Sequence, residues 1–394
     1  MNNKQTFDVS TMSNMKMDCK CGHSHIVPIK KIITGSGALN GLEGILEDFR
    51  GARVYLVGDE NTMPLAKEKV GALLNAAGCK VDEYIFKSPN GKHLVVNEQL
   101  IGNMLIHMRP NTKLIIAIGS GTMNDLSRVI SVSCGIPYII IGTAPSMDGY
   151  ASSTSAVVMD GGKKSVPLGA PYAIIGDVDL MRTAPDIMLA AGASDILGKY
   201  VAIRDWKLAE RENKEYFCPY IADLVIEAAN LCAEGLEQIF SRDPQVLKTV
   251  IDTLIMSGAA ISMYGTSRPA AGSEHQIAHY WEVAAIHAGE TNNLHGNYVG
   301  LGTLVACRLY ELAGQKLNLP SGDFMPLSKQ IDKYLRILKG YSSIETLCIS
   351  REVFREGLFH AARPEIRYTL PTYLQQLGKL EFYIDCLIEE FYCK

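Results

Sequence analysis

Neither sign of charge is in excess in this 394-residue chain: 38 Lys and Arg face 42 Asp and Glu, for a formal net charge of −4. That balance removes the electrostatic basis for recruiting nucleic acid or an anionic membrane surface. No uninterrupted apolar run reaches the roughly 18 residues of a membrane span, and the opening MNNKQTFDVSTMSNMKMDCK lacks the apolar stretch of a secretory signal. A soluble cytoplasmic protein with a small-molecule partner is therefore expected. In that compartment the 10 cysteines are expected as reduced thiols, most of them isolated in apolar segments at Cys79, Cys134, Cys232 and Cys307. Zinc-finger spacing is also lacking. The segment CKCGHSH crowds Cys19, Cys21, His23 and His25 together, and two ligands one residue apart need a distant pair to complete a tetrahedron. The segment reads either as an N-terminal strand that happens to carry these residues or as an accessory metal or redox site.

What the chain does have is apolar content, 47%, enough over this length to fill two cores. From Lys30 to about Ile141, short β-branched runs (VYLVG, KVDEYIF, KLIIAIG, PYIIIG) alternate with helical stretches at 62–77, 93–108 and 124–133. Strand and helix at that spacing predict a parallel sheet covered on both faces. Residues 155–180 show strand-like runs around a Gly-Gly turn and read as a hairpin insertion. Beyond Pro185 the periodicity is helical, at 219–240, 244–263, 274–287, 297–314 and later. The expectation is an α/β domain over 1–182 and an all-helical domain over 183–394.

Within the first part, GSGTMNDLSRVIS follows the strand-like LIIAI. Gly119 and Gly121 fall where a tight turn brings backbone N–H groups and a helix N-terminus to a pyrophosphate. The full G-x-G-x-x-G fingerprint is missing and no P-loop lysine follows, so a plain strand-to-helix turn remains an alternative. Asp59 ends the earlier strand VYLVGD, where a carboxylate can accept hydrogen bonds from an adenosine ribose and repel a 2′-phosphate, favouring NAD(H). The hydroxyl-rich GTAPSMDGYASSTS, with Asp148 at its centre, is either a polar loop or a rim for the nicotinamide and a polyol hydroxyl.

In the helical part, Ser273 and Gln276 form a capping-box pattern that would start a helix, leaving His275 and His279 at i and i+4 on one face. His295 stands at the mouth of the next helix. Asp195 lies in the apolar stretch GASDILGKY, where an unpaired carboxylate is costly to bury and a cation would resolve the cost. One Asp and two His leave open positions on a divalent ion, as a catalytic site requires.

Taken together, these residues resemble the metal-dependent glycerol-1-phosphate dehydrogenases over nearly the whole chain, within the superfamily of glycerol dehydrogenase, iron-type alcohol dehydrogenase and 3-dehydroquinate synthase. The resemblance implies a Rossmann-like domain followed by a helical domain, with the active site in the cleft. It implies a divalent metal, zinc or nickel, on Asp195, His275 and His295. It also implies that NAD(P) contacts Asp59, Gly119, Gly121, Thr122, Met123, Asn124, Asp125, Thr143, Ala144, Pro145, Ser146 and Ser152, while Asp148, Asp195 and His279 face the substrate. Iron-type alcohol dehydrogenases carry a further His four residues after the ligand Asp, where Lys199 stands here. Dehydroquinate synthases carry Glu at the position of Asn297. The implied reaction is reduction of dihydroxyacetone phosphate to sn-glycerol 1-phosphate by a homodimer. Glycerol dehydrogenase is the rival, and Lys163, Lys164 and Arg268 are phosphate candidates by charge alone.

Overall fold

The computed structural model describes residues 8–88, 93–160, 162–290, 292–365 and 367–393. Ten strands run β1 (Lys16–Asp18), β2 (Ser24–Ile26), β3 (Lys31–Gly35), β4 (Arg53–Asp59), β5 (Lys80–Phe86), β6 (Leu114–Gly119), β7 (Tyr138–Gly142), β8 (Thr154–Met159), β9 (Gly162–Pro167) and β10 (Ala173–Asp177). The α-helices up to the middle of the chain are α1 (Leu42–Leu46), α2 (Met63–Ala76), α3 (Glu98–His107), α4 (Gly121–Cys134), α5 (Val178–Met181), α6 (Asp186–Leu197), α7 (Lys199–Asn213) and α8 (Pro219–Gly235). The rest are α9 (Pro244–Tyr264), α10 (Ser273–His287), α11 (His295–Gly314), α12 (Ser328–Ile337), α13 (Arg351–His360), α14 (Leu370–Gln376) and α15 (Leu380–Tyr392).

Six strands form one parallel sheet in the order β3-β10-β7-β6-β4-β5. Every residue of its central members β6, β7 and β10 is buried, and only Asp177 at the end of β10 is charged, as a sheet covered on both faces requires. From β4 the chain adds β5 on one side and then β6 on the other, so the strand order reverses between β4 and β6. That reversal opens a crevice beyond their carboxyl ends, the usual ligand position in such sheets. Asp59 ends one of the two strands and Gly119 the other. Thr62 fastens them together, its hydroxyl donating to the Ile118 carbonyl at 2.8 Å.

The reading of 155–180 as one hairpin needs correcting. β8 and β9 do pair antiparallel, from Thr154↔Pro167 to Met159↔Gly162; Gly161 of the turn lies outside the described residues. The run AIIGD is a different element: β10 inserts between β3 and β7 in the main sheet. Burial on both faces separates it from β8 and β9, which each keep partly exposed positions.

The chain divides into two compact units, Met1–Ala184 with Ser241–Gly265, and Pro185–Phe240 with Thr266–Lys394. Helix α9 thus belongs to the first unit although its sequence lies well beyond Pro185. Asp243 caps its start, accepting from the Gln245 and Val246 amides at 2.8 and 3.2 Å. By length and composition α9 could cross a membrane, yet 78% of its apolar window is buried inside the protein. Its apolar side packs under β3, where Thr34 donates to Asp252 at 2.7 Å.

Inside the first unit, the loop after β7 is held by a fully buried arginine. Arg128 of α4 donates to Asp125 Oδ1 and the Thr154 carbonyl, both at 2.8 Å, and to the Gly149 carbonyl at 2.6 Å. Burial pushes the Asp125 carboxyl up while Arg128 pulls it down. Removing one member of such a buried pair strands the other's charge and costs about 3–5 kcal/mol. Arg128→Met is expected to destabilise the protein on that scale in denaturant unfolding without ligand; an unshifted midpoint would show that Asp125 and the loop carbonyls find other partners.

Candidate active site

At the crevice, α4 begins immediately after β6. Its first amides, those of Gly121, Thr122 and Met123, precede any carbonyl of the helix that could accept from them, and the helix dipole adds positive character. An anion is the natural complement. A Cβ at Gly119 would stand 2.5 Å from Met123 Cγ, so a side chain there would push the turn apart. Asp59 uses Oδ1 to accept from the Asn61 and Thr62 amides at 2.8 and 2.9 Å, which shapes the entry to α2 and fixes the direction of the other oxygen.

The remaining residues proposed for the nucleotide differ in what they can offer. Met123 and Asn124 are buried. The Asn124 side-chain amide donates to the Gly149 carbonyl at 3.0 Å, and its Oδ1 accepts from Tyr138 at 3.3 Å, so this residue braces the loop from behind. Thr143 donates its N–H to the Gly119 carbonyl at 3.0 Å, joining the TAPS segment of Thr143, Ala144, Pro145 and Ser146 to the end of β6. Ser152 is buried and its hydroxyl lies 3.0 Å from that of Thr154. Asp148 accepts from Ser257 of α9 at 2.8 Å.

The second unit assembles the histidines. His295 is the first residue of α11, positioned by Asn297, whose Oδ1 accepts from the Leu294 amide at 3.1 Å. Helix α11 approaches its neighbours at glycines. A Cβ on Gly296 would fall 2.0 Å from the Ala191 carbonyl oxygen of α6, and one on Gly302 would fall 2.4 Å from that of Glu274 in α10. Contact at backbone level draws Asp195, His275 and His295 together. The ring centroids are 5.4 Å apart for His275 and His295, 5.3 Å for His279 and His295, and 6.1 Å for His275 and His279.

Three features of this cluster fit a divalent cation. His275 Nε2 and Asp195 Oδ1 lie 3.3 Å apart, close to the edge of a tetrahedron with bonds of about 2.0–2.1 Å. His275 Nδ1 is 2.8 Å from Glu274 Oε1, and His295 Nδ1 is 2.9 Å from Glu282 Oε2. A carboxylate on Nδ1 fixes the ring, sets its tautomer and leaves Nε2 as the ligand atom, the usual outer arrangement of metal-bound histidine. Asp195, buried with Lys199 Nζ at 2.8 Å, is opposed by burial, yet Lys199 and His275 hold its carboxyl well below the usual carboxylate range. It is ready to ligate in the ionised form.

Sequence reasoning missed Glu274, whose only local signal is its place beside His275. The expected capping box is absent: Gly272 caps α10, Ser273 is its first residue, and neither the Ser273 hydroxyl nor the buried Gln276 amide has a partner among the described residues. The Ser273 N–H is taken instead by Asp205 at 2.6 Å. Arg268 is not available to a phosphate. It is buried, donating to Glu215 at 2.7 Å and to the carbonyls of Asp205 and Tyr368 at 3.0 Å. Lys164 pairs with Asp160 on the exposed hairpin at 3.0 Å, and Lys163 lies in the same strand, β9.

Residues 33–185 match the family described as iron-containing alcohol dehydrogenase. A glycerol-1-phosphate dehydrogenase [NAD(P)+] of Halalkalibacterium halodurans is 35% identical over 319 residues, spanning 80% of each chain. The chain belongs to the glycerol-1-phosphate dehydrogenase family. A relative with the same name, from Methanothrix thermoacetophila, is 31% identical over 344 residues, 86% of this chain and 90% of its own. Among solved structures, glycerol dehydrogenase from Schizosaccharomyces pombe superposes with a TM-score of 0.67 at 19% identity, over 91% of this chain and 90% of its own. A 1,3-propanediol oxidoreductase reaches 0.71 at 15% identity over 92% and 97%. At those identities the solved structures show the shared fold, an α/β sheet part followed by helices. The dehydrogenase family is carried by the closer sequence relatives.

If the glutamates orient the histidines, removing either should weaken metal retention by about 10–100-fold. Glu282→Ala is the cleaner test, since Glu282 is less buried than Glu274. Competition against a chelator should show the loss, and unchanged retention would leave Glu282 as a surface partner only.

Proposed function

We propose that this protein reduces dihydroxyacetone phosphate to sn-glycerol 1-phosphate with NAD(P)H. The observation that carries the reading is the set of Asp195, His275 and His295 with glutamate-held imidazoles, in a chain 35% identical to a protein of that name. Asp195, His275 and His295 would hold a divalent ion, zinc or nickel. When bound, NAD(P)H supplies a hydride and the ion supplies Lewis acidity at the C2 carbonyl.

The protein's own groups do the rest. The amides opening α4 receive the pyrophosphate, and Asp59 offers the ribose its second carboxylate oxygen. Asp148, kept in place by Ser257, accepts from a substrate hydroxyl and so orients the triose. His279, one helical turn beyond His275, carries the proton for the C2 oxygen, a task suited to imidazole near neutral pH. Lys199 acts through Asp195: a buried ammonium at 2.8 Å keeps that carboxylate ionised without using a position on the metal. With Arg268 committed elsewhere, Lys163 and Lys164 of β9 are the phosphate candidates by charge. The same reading has the enzyme working as a cytoplasmic homodimer, which sedimentation equilibrium would test.

Charge-assisted hydrogen bonds to a phosphate contribute about 1.5–3 kcal/mol each. Two of them should favour dihydroxyacetone phosphate over dihydroxyacetone by roughly 10²–10⁴ in kcat/KM. A panel of the two substrates and a simple aldehyde, with zinc or nickel supplied, reads this ratio directly; equal efficiencies would reject the phosphorylated substrate in favour of a free polyol. Lys163→Met should narrow the gap. Asp59→Gly, by removing repulsion at the 2′ position, should narrow any preference for NADH over NADPH, and an unchanged cofactor ratio would place Asp59 away from the ribose.

A further inference from the structure

The N-terminal segment that the proposed reaction leaves unused is folded into a specific shape. β1 and β2 pair antiparallel with Met17 opposite His25 and Asp18 opposite Ser24. Between them the Cys19 N–H donates to the His23 carbonyl, and the Gly22 N–H donates to the Cys19 carbonyl, both at 3.0 Å. Gly22 takes φ +90°, a left-handed conformation that closes this turn. The result gathers Cys19 Sγ, Cys21 Sγ and the His25 ring nitrogen within 4.8 Å of one another.

His25 is the buried member, 1% exposed. Its Nδ1 is 3.3 Å from the Met263 carbonyl of α9, and its Nε2 is 3.4 Å from Cys21 Sγ. A carbonyl can only accept, so Nδ1 carries the hydrogen and Nε2 turns its lone pair toward the thiols. Backbone support of this kind is what orients a metal-bound histidine. The Cys21–His25 separation also matches the edge of a tetrahedron with Zn–S of about 2.3 Å and Zn–N of about 2.0 Å, roughly 3.5 Å.

We infer that Cys19, Cys21 and His25 form a second metal site, separate from Asp195, His275 and His295, that takes a zinc-like ion through two thiolates and one imidazole. Soft sulfur ligands select zinc over magnesium, calcium or manganese. On binding, each thiol gives up its proton to solvent, and no redox step is involved. The ion ties the two ends of the N-terminal hairpin together and holds the His25 ring, whose Nδ1 rests on the Met263 carbonyl of α9.

Metal content of the full-length protein, measured by elemental mass spectrometry, tests the assignment. Wild type purified with zinc should hold about one more equivalent per chain than Cys19→Ser/Cys21→Ser, and His275→Ala should lose a different equivalent and keep this one. Cobalt substitution should give a sulfur-to-cobalt charge-transfer band in wild type and in His275→Ala, but not in the double variant. Equal metal content in wild type and the double variant, with no thiolate band, would overturn the proposal. Should the double variant fail to fold, titration of native wild type with a thiol-specific mercurial decides the matter. Zinc released in step with thiol modification supports the site; thiols modified with no zinc released, or Cys19 and Cys21 found joined as a disulfide, overturn it.

Discussion

Backbone contact between helices governs the histidine cluster. Most helix pairs are held about 8–10 Å apart by the side chains between them, and at that distance a short aspartate on one helix and imidazoles on two others would not meet. Gly296 and Gly302 remove those side chains where α11 faces α6 and α10, and a Cβ at either would enter the facing carbonyl. Asp195 and its α6 neighbours Leu189, Ala190, Ala191, Ala193 and Ile196 are all buried. The glycines are therefore the sequence feature on which the donor geometry depends.

Close packing makes the electrostatics demanding. Asp195, Lys199, Glu274 and Asp205 are all fully buried, and each would be costly alone. They are handled in groups. Lys199 answers Asp195, and Glu274 is tied to the Gly272 amide and His275. Asp205 accepts from Ser273, Tyr310 and Leu370 at 2.6–2.8 Å, which links the starts of α10 and α14 to the C-terminal part of α11. Burial raises the Asp205 carboxyl, with Glu274 adding to the shift. A cation on the cluster would add positive charge where three carboxylates, Asp195, Glu274 and Glu282, already face the imidazoles.

Much of this was legible in the chain because the signals are local. LIIAIG followed by GSGTMND is a strand entering a helix, and helical spacing alone puts His275 and His279 on one face. What escaped the reading depends on distant residues. AIIGD reads as half of a hairpin until β3 and β7 are known to flank it. Arg268 carries the right charge for a phosphate, and only the fold shows that Glu215 and the carbonyls of Asp205 and Tyr368 have claimed it. Glu274 and Arg128 matter through partners no local pattern announces. Ser273 and Gln276 match the capping motif, but Asp205, far away in sequence, takes the Ser273 amide that the Gln276 side chain would have served.

The return of α9 sets an order of events during synthesis. The sheet strands are complete once β10 has been made, yet the helix that covers β3 and anchors Asp148 is not translated until residues 185–240 have followed. At about 5–20 residues per second, a nascent chain waits several seconds with that apolar surface uncovered. An N-terminal fragment ending near Ala184 stays in that condition permanently, so it is the piece of this protein most exposed to chaperones and to aggregation.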